Sequence, residues 1–181
     1  MTQPIQIDEW AWGREQIIWG YDPSHEYTCK ILEPKKGRQG CLSLQYHHKK
    51  SESWIVYRGV AWAVIALEGK VCTRVLRKGD IQNLPAGSIH RLMGLSDDLQ
   101  VIEPSTPDAH AADKSVKKDV VRLHCVFGRE CSEPRSEEEA ALVKTCIEYT
   151  EEAIGCVERG NEPPEHNREW LNSRGAFSLS L

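Results

Sequence analysis

Four side chains carry most of the chemistry available in this sequence: Gln45, His47, Glu52 and His90. Side chains alternate in direction along an extended strand, so Gln45 and His47, two positions apart, project to one side. Glu52 follows a short turn and can return to the same point. Further on, Gly79-x5-Pro85-Ala86-Gly87-x2-His90 places Pro and Gly in a tight turn that delivers His90 at the start of another strand. Imidazole, carboxylate and amide oxygen gathered at one point suit a divalent first-row ion, with donors at about 2 to 2.2 Å and open positions left for a substrate.

The elements that must position these groups are short. Apolar and β-branched runs at 27–32, 41–46, 54–57, 60–67, 70–76, 81–84, 90–93 and 99–103 are separated by turn residues, the pattern of an all-β sandwich or barrel. Glu68-Gly69 is a two-residue hairpin candidate, because Gly supplies the positive φ such turns require. Upstream, residues 10–20 are rich in Trp and Gly with no clear period and are expected to form an irregular arm. Residues 104–118 read as a loop able to cover a cavity mouth, and 119–127 as a returning strand. Ser136 followed by Glu139 is a capping box. Leu142, Val143, Cys146, Ile147, Thr150, Ile154 and Val157 then form one helical face, stopped by Gly160-Asn161 and Pro163-Pro164. The tail beyond offers Trp170 and Phe177 as anchors.

The expected organisation is therefore an N-terminal arm (1–26), a barrel (27–129), and a C-terminal helix with its tail (130–181). A chain of 181 residues supports one such core. With 40% hydrophobic and 28% charged residues and a net charge of -4, neither disorder nor a global positive field for nucleic acid is expected. No apolar run reaches the roughly 18 to 20 residues that span a bilayer. The start, Met1-Thr2-Gln3-Pro4, lacks a basic segment followed by an apolar one. Seven cysteines without a C-x-x-C pair point to reduced thiols in the cytoplasm.

The two histidine segments resemble the motifs of the cupin superfamily, G-x5-H-x-H-x3,4-E-x6-G and G-x5-P-x-G-x2-H-x3-N. Gln45 stands for the first histidine and Gly94 for the asparagine. The resemblance implies an all-β double-stranded β-helix, a jelly-roll-like barrel, holding one divalent ion (Zn, Mn, Fe, Co or Ni) on Gln45, His47, Glu52 and His90. A narrower resemblance covers residues 12–129. Cys41-Leu-Ser-Leu-Gln-Tyr-His-His-Lys-Lys-Ser-Glu-Ser-Trp54, Asn83-Leu-Pro-Ala-Gly-Ser-Ile-His90, Ile102-Glu103 and Asp119-Val-Val-Arg-Leu123 are similar to the cupin domain of type II phosphomannose isomerases.

That resemblance implies aldose–ketose isomerisation of a sugar 6-phosphate, with a base moving a proton through an enediol. Glu103 or Lys49 is the candidate base, Lys30 and Arg122 the candidate phosphate holders, and Trp54 a candidate pocket wall. Glu103 has a plainer alternative, an ion pair with Arg91 or Lys30. Two other functions stay open: a metal-dependent lyase or oxygenase acting on an acidic metabolite, and a non-enzymatic module binding a sugar or nucleotide sugar. A homodimer is expected, since edge strands are readily paired between subunits.

Overall fold

The computed structural model of this chain describes residues 5–20, 24–107, 113, 115–174 and 176–178. Twelve strands form two antiparallel sheets. They are β1 (Gln6–Trp10), β2 (Gly13–Trp19), β3 (Thr28–Pro34), β4 (Leu44–His47), β5 (Glu52–Arg58), β6 (Val60–Leu67), β7 (Lys70–Arg77), β8 (Asp80–Leu84), β9 (Ile89–Gly94), β10 (Gln100–Ser105), β11 (Val120–His124) and β12 (Ala176–Ser178). One sheet runs β1-β2-β3-β10-β5-β8-β12 and the other β11-β4-β9-β6-β7. Two helices follow the barrel, α1 (Glu137–Glu158) and α2 (Arg168–Asn172). Each of the eight apolar runs read from the sequence falls within one of strands β3 to β10 or overlaps it.

Alternation along the strands builds two cores. Inward residues of the large sheet, among them Leu32, Trp54, Val56, Leu84 and Val101, meet Ala61, Ala63, Ile65, Leu76 and Leu92 from the small sheet. The opposite face of the small sheet, with Leu44, Tyr46, Trp62, Val64 and Met93, packs against Val143, Cys146, Ala153 and Ile154 of α1. Strands β6 and β9 are buried on both faces; β6 accordingly reads as a continuous apolar run, whereas β9 carries His90 and Arg91 among its buried positions. This double burial has a local consequence on β9, where His90 turns into the barrel and Arg91 turns outward. Arg91 donates to Thr150 Oγ1 of α1 at 3.1 Å and to the His124 carbonyl at 3.1 Å. The alternative pairing of Glu103 with Arg91 is thereby excluded.

Glu68 and Gly69 both have positive φ and close the two-residue hairpin between β6 and β7. Gly94, where the cupin motif has Asn, is explained by a close approach: a Cβ there would lie 2.2 Å from the Lys35 carbonyl oxygen. Helix α1 starts as expected, with Ser136 Oγ accepting from the Glu139 N–H at 3.2 Å. The Glu139 carboxylate reaches one residue beyond the ordinary box, to the Arg135 N–H at 2.6 Å.

Two expectations need correction. The arm is not irregular: β1 and β2 form a hairpin that extends the large sheet beside β3. Its alternation is obscured because the buried face of β2 carries Gly13, Glu15 and Ile17, a carboxylate amid what would otherwise be apolar positions. In the tail, Leu171 is fully buried and Trp170 packs against the core as expected, its ring also contacted by the cations of Lys70 and Arg174, while Phe177 is exposed and is no anchor. Part of the expected loop at 104–118 lies outside the described residues. Among the described residues, no helix is long and apolar enough to cross a membrane.

Candidate functional site

Strand β4 sends Leu44 and Tyr46 toward α1 and Gln45 and His47 into the barrel. Glu52 opens β5, and His90 on β9 lies directly across from Gln45. His47, Glu52 and His90 are each at most 6% exposed, and one donor atom from each lies within 4.8 Å of the others. Glu52 Oε1 is 3.2 Å from His90 Nε2, and Glu52 Oε2 is 3.6 Å from His47 Nε2.

The hydrogen bonding of His90 tests whether this trio suits a cation. Its Nδ1 lies 3.0 Å from the Ser88 carbonyl, which can only accept, so Nδ1 carries the proton. In the neutral ring Nε2 is then a lone pair facing a carboxylate oxygen. Two acceptors at that distance are reconciled by a cation between them, and the Nδ1–carbonyl bond is the outer support of a metal-ligating histidine. The Nε2 atoms of His47 and His90 are buried without a hydrogen-bond partner among the described residues. Burial, then the Lys50 charge, push the His47 imidazole down to about 4, so it is neutral and able to ligate at neutral pH. The residues fit a divalent ion. Gln45 lines the same cavity, with its Oε1 accepting from Ser43 Oγ at 2.8 Å.

Beside the trio sits an ionised cluster that strand counting misses. Lys50, 6% exposed, places Nζ 2.5 Å from Glu52 Oε2 and 3.4 Å from Glu103 Oε1. Trp54 Nε1 donates to Glu103 Oε2 at 3.3 Å. Burial opposes ionisation of Glu52, yet the adjacent Lys50 ammonium holds its carboxyl well below the usual carboxylate range. Burial, then the Glu52 charge, push the Glu103 carboxyl up. Two carboxyls of one site are thus driven apart in proton affinity, the arrangement that separates an ionised ligand from a proton carrier.

Lys49 is not in this cluster. It is exposed, and only its backbone N–H is engaged, donating with that of Lys50 to the Asp119 carboxylate at 3.1 and 2.8 Å. Strand β4 ends at His47, so parity no longer counts beyond it, and the turn brings Lys50 inward instead. Trp54 is buried behind Glu103 and edge-on to His90, 5.5 Å between centroids, and does not line the cavity. Lys30 does line it, across from Glu103 on the neighbouring strand, with Nζ 3.3 Å from Glu15 Oε2. Arg122 lines it too and donates from Nη1 to the Glu130 carbonyl at 3.2 Å. The cavity measures about 630 Å³. Trp10, Trp12, Lys118 and Arg129 also line it, together with the carboxylates of Asp8, Asp119 and Glu130.

The profile of the family described as "Mannose-6-phosphate isomerase C-terminal" matches residues 9–123, a span that contains every residue of this cluster. The chain belongs to that family. Among curated relatives, the alginate biosynthesis protein AlgA of Pseudomonas aeruginosa is 30% identical over 119 residues. That alignment covers 65% of this chain and 22% of AlgA. AlgA of Pseudomonas fluorescens is 29% identical over the same length, again 22% of that protein. The chain therefore corresponds to a small part of these relatives.

Among solved structures, the capsular polysaccharide assembling protein CapF of Staphylococcus aureus superposes with a TM-score of 0.55 at 14% identity, over 68% of this chain and 35% of CapF. The oxalate decarboxylase of Lactobacillus farciminis gives 0.51 at 17% identity, over 66% and 33%. At these identities the likeness shows the fold, which is the cupin barrel.

Proposed function

We propose that this mannose-6-phosphate isomerase C-terminal family member is a metal-dependent enzyme interconverting the aldose and ketose forms of a sugar phosphate. The observation that carries the reading is Glu103: a buried carboxyl with raised proton affinity, held by Lys50 and Trp54, that opens on the same cavity as His47 and Glu52. One divalent ion on Gln45, His47, Glu52 and His90 would polarise the substrate's carbonyl and hydroxyl oxygens. Glu103 then moves the proton between the two adjacent carbons through the enediol. Trp54 fixes the Glu103 carboxyl, and Lys50 keeps Glu52 ionised. Lys30, Arg122 and Arg129 offer donors to a phosphate dianion at the mouth. Trp10 offers its flat face to the sugar ring.

The test has three parts. Protein purified without a metal-affinity step is assayed for bound metal, then reloaded with Mn, Fe, Co, Ni or Zn. A panel of aldose phosphates follows, read by ketose formation. Near one ion per chain is expected, lost in His47→Ala and His90→Ala, with ketose formed by wild type and by Lys49→Met. Glu103→Gln is expected to keep the ion and lose turnover. Protein that holds an ion yet turns over no member of the panel rejects the isomerase reading; protein that cannot be loaded rejects the metal reading.

A cytoplasmic homodimer belongs to the same proposal. The seven cysteines are unpaired, in keeping with a reducing compartment. On the outer face of the large sheet, Ile31, Ile102, Ile55 and Ile81 stand side by side across four strands, continued by Phe177 on β12. Such a ladder suits a two-fold contact with a second copy. Size-exclusion chromatography with light scattering should show a dimer that Ile55→Glu splits; a wild-type monomer at high concentration would refute it.

A further inference from the structure

The segment after β11 carries two thiols around one arginine. Arg129 Nε donates to Cys125 Sγ at 3.2 Å, and Cys131 Sγ donates to the Arg129 carbonyl at 3.2 Å. The Cys125 side chain sits in a tight turn closed by the Gly128 N–H on the Cys125 carbonyl at 3.1 Å. The backbone N–H groups of Phe127 and Arg129 act on the thiol in the same direction as the guanidinium. Cys131 is exposed and meets the same arginine from its carbonyl side. Buried thiols are ordinarily inert, whereas one held by a guanidinium and backbone N–H groups is a stabilised thiolate and a nucleophile. Among the seven cysteines only Cys125 is shifted toward the thiolate: although burial pushes it up, the Arg129 contacts outweigh that and bring it below its ordinary value. Cys29, Cys41, Cys72, Cys131 and Cys146 are all raised by burial.

We propose that Cys125 is a hydroperoxide-reactive thiol and that Cys131 is its resolving partner. The Cys125 thiolate attacks one peroxide oxygen; the S–O bond forms as the O–O bond breaks, and the departing oxyanion takes up a proton. The Cys131 sulfur then attacks the sulfenic sulfur, the S–S bond forms, and hydroxide leaves as water with the thiol proton. The peroxide gains two electrons and the thiol pair loses them. The step is coupled to the cavity by position. Arg129 and Glu130 line it, Arg122 donates to the Glu130 carbonyl, and the Ser132 N–H donates to the Arg122 carbonyl at 2.7 Å. Oxidation takes away the thiolate that holds the Arg129 guanidinium and so releases a cation that lines the cavity. This site needs no metal and stands whether or not the isomerase reading does.

The experiment treats the full chain, in chelator, with hydrogen peroxide at neutral pH, in the presence and absence of dimedone, and maps modified peptides over time. Wild type is expected to form a Cys125–Cys131 disulfide before any other thiol changes. Cys131→Ser is expected to accumulate a dimedone adduct on Cys125. Arg129→Gln is expected to slow the reaction severalfold, because a smaller share of the Cys125 thiol is ionised without the guanidinium. Circular dichroism melts establish that each variant is folded, and the Cys131→Ser arm decides the case if Arg129→Gln is not. First oxidation at Cys29, Cys131 or Cys156 with Cys125 intact overturns the proposal, as does an unchanged rate in folded Arg129→Gln.

Discussion

Lys50 Nζ lies 2.5 Å from Glu52 Oε2, so the lysine ammonium already occupies one side of the carboxylate that the metal reading assigns as its only anionic ligand. With Glu103 Oε1 3.4 Å away, this ammonium offsets two buried carboxyls. Lys50→Met takes from Glu52 its nearest cation and leaves Glu103 only Lys30 across the strand pair, a change of the kind that costs about 3 to 5 kcal/mol when one partner of a buried pair is removed. An ion bound beside Glu52 supplies the missing charge. The urea midpoint of Lys50→Met should therefore fall far more in chelator than with saturating divalent metal. Equal losses under both conditions would show that no cation binds against Glu52.

Acid should loosen the start of α1 through Glu139. Burial opposes ionisation there, but the Arg135 guanidinium and N–H outweigh it and hold the carboxyl below its ordinary 4.5. A depressed carboxylate binds its proton more tightly in the unfolded chain, so its stabilisation is complete above 4.5 and is lost as pH falls through the lower folded value. Glu139→Gln should cost about 1 kcal/mol near neutral pH, the size of a lost capping contact. It should also flatten the acid limb of stability against pH. Chemical denaturation of both proteins from pH 7 to pH 3 reads this; parallel acid limbs would contradict it.

How much of this was legible beforehand depended on whether one local rule governed each residue. Strand parity and double burial are strong patterns, so the eight runs, the inward pair Gln45 and His47, and the helix after Ser136 could be read from residue types alone. Lys50 could not be, because β4 stops at His47 and an irregular turn has no period to count. Strand β2 was hidden by Glu15, a carboxylate that faces the cavity from an otherwise buried strand face; the residues that serve a site break the pattern by which strands are recognised. Trp54 shows the converse. It shares the inward face of β5 with Glu52, but its indole is covered by Glu103 and His90, which no spacing rule reveals.

Asp119 supports the site from outside, with its carboxylate accepting from the N–H groups of Lys49 and Lys50 and lying 3.8 Å from His47 Nδ1. It thereby fixes the turn that delivers Lys50 and sets a negative charge beside the His47 ring. Supports of this kind are worth about 10- to 100-fold in metal affinity. Asp119→Ala should weaken binding of Zn or Mn by that factor while leaving one site per chain, as read by competition with a chromophoric chelator. An affinity unchanged from wild type would remove Asp119 from the site.

Trp10 separates recognition of the sugar from recognition of its phosphate. It is 45% exposed and borders the cavity, whereas Trp12 beside it is buried in the core. Removing an exposed indole changes folding stability by no more than about 0.5 kcal/mol, so Trp10→Ala isolates binding. An aromatic contact of about 1 kcal/mol corresponds to about fivefold in affinity. Calorimetric titration should show that loss for a hexose 6-phosphate and no loss for inorganic phosphate, because Lys30, Arg122 and Arg129 remain. Lys30→Met should weaken both ligands together. If Trp10→Ala binds the hexose phosphate as tightly as wild type does, the ring lies elsewhere in the cavity and Trp10 has no part in choosing the substrate.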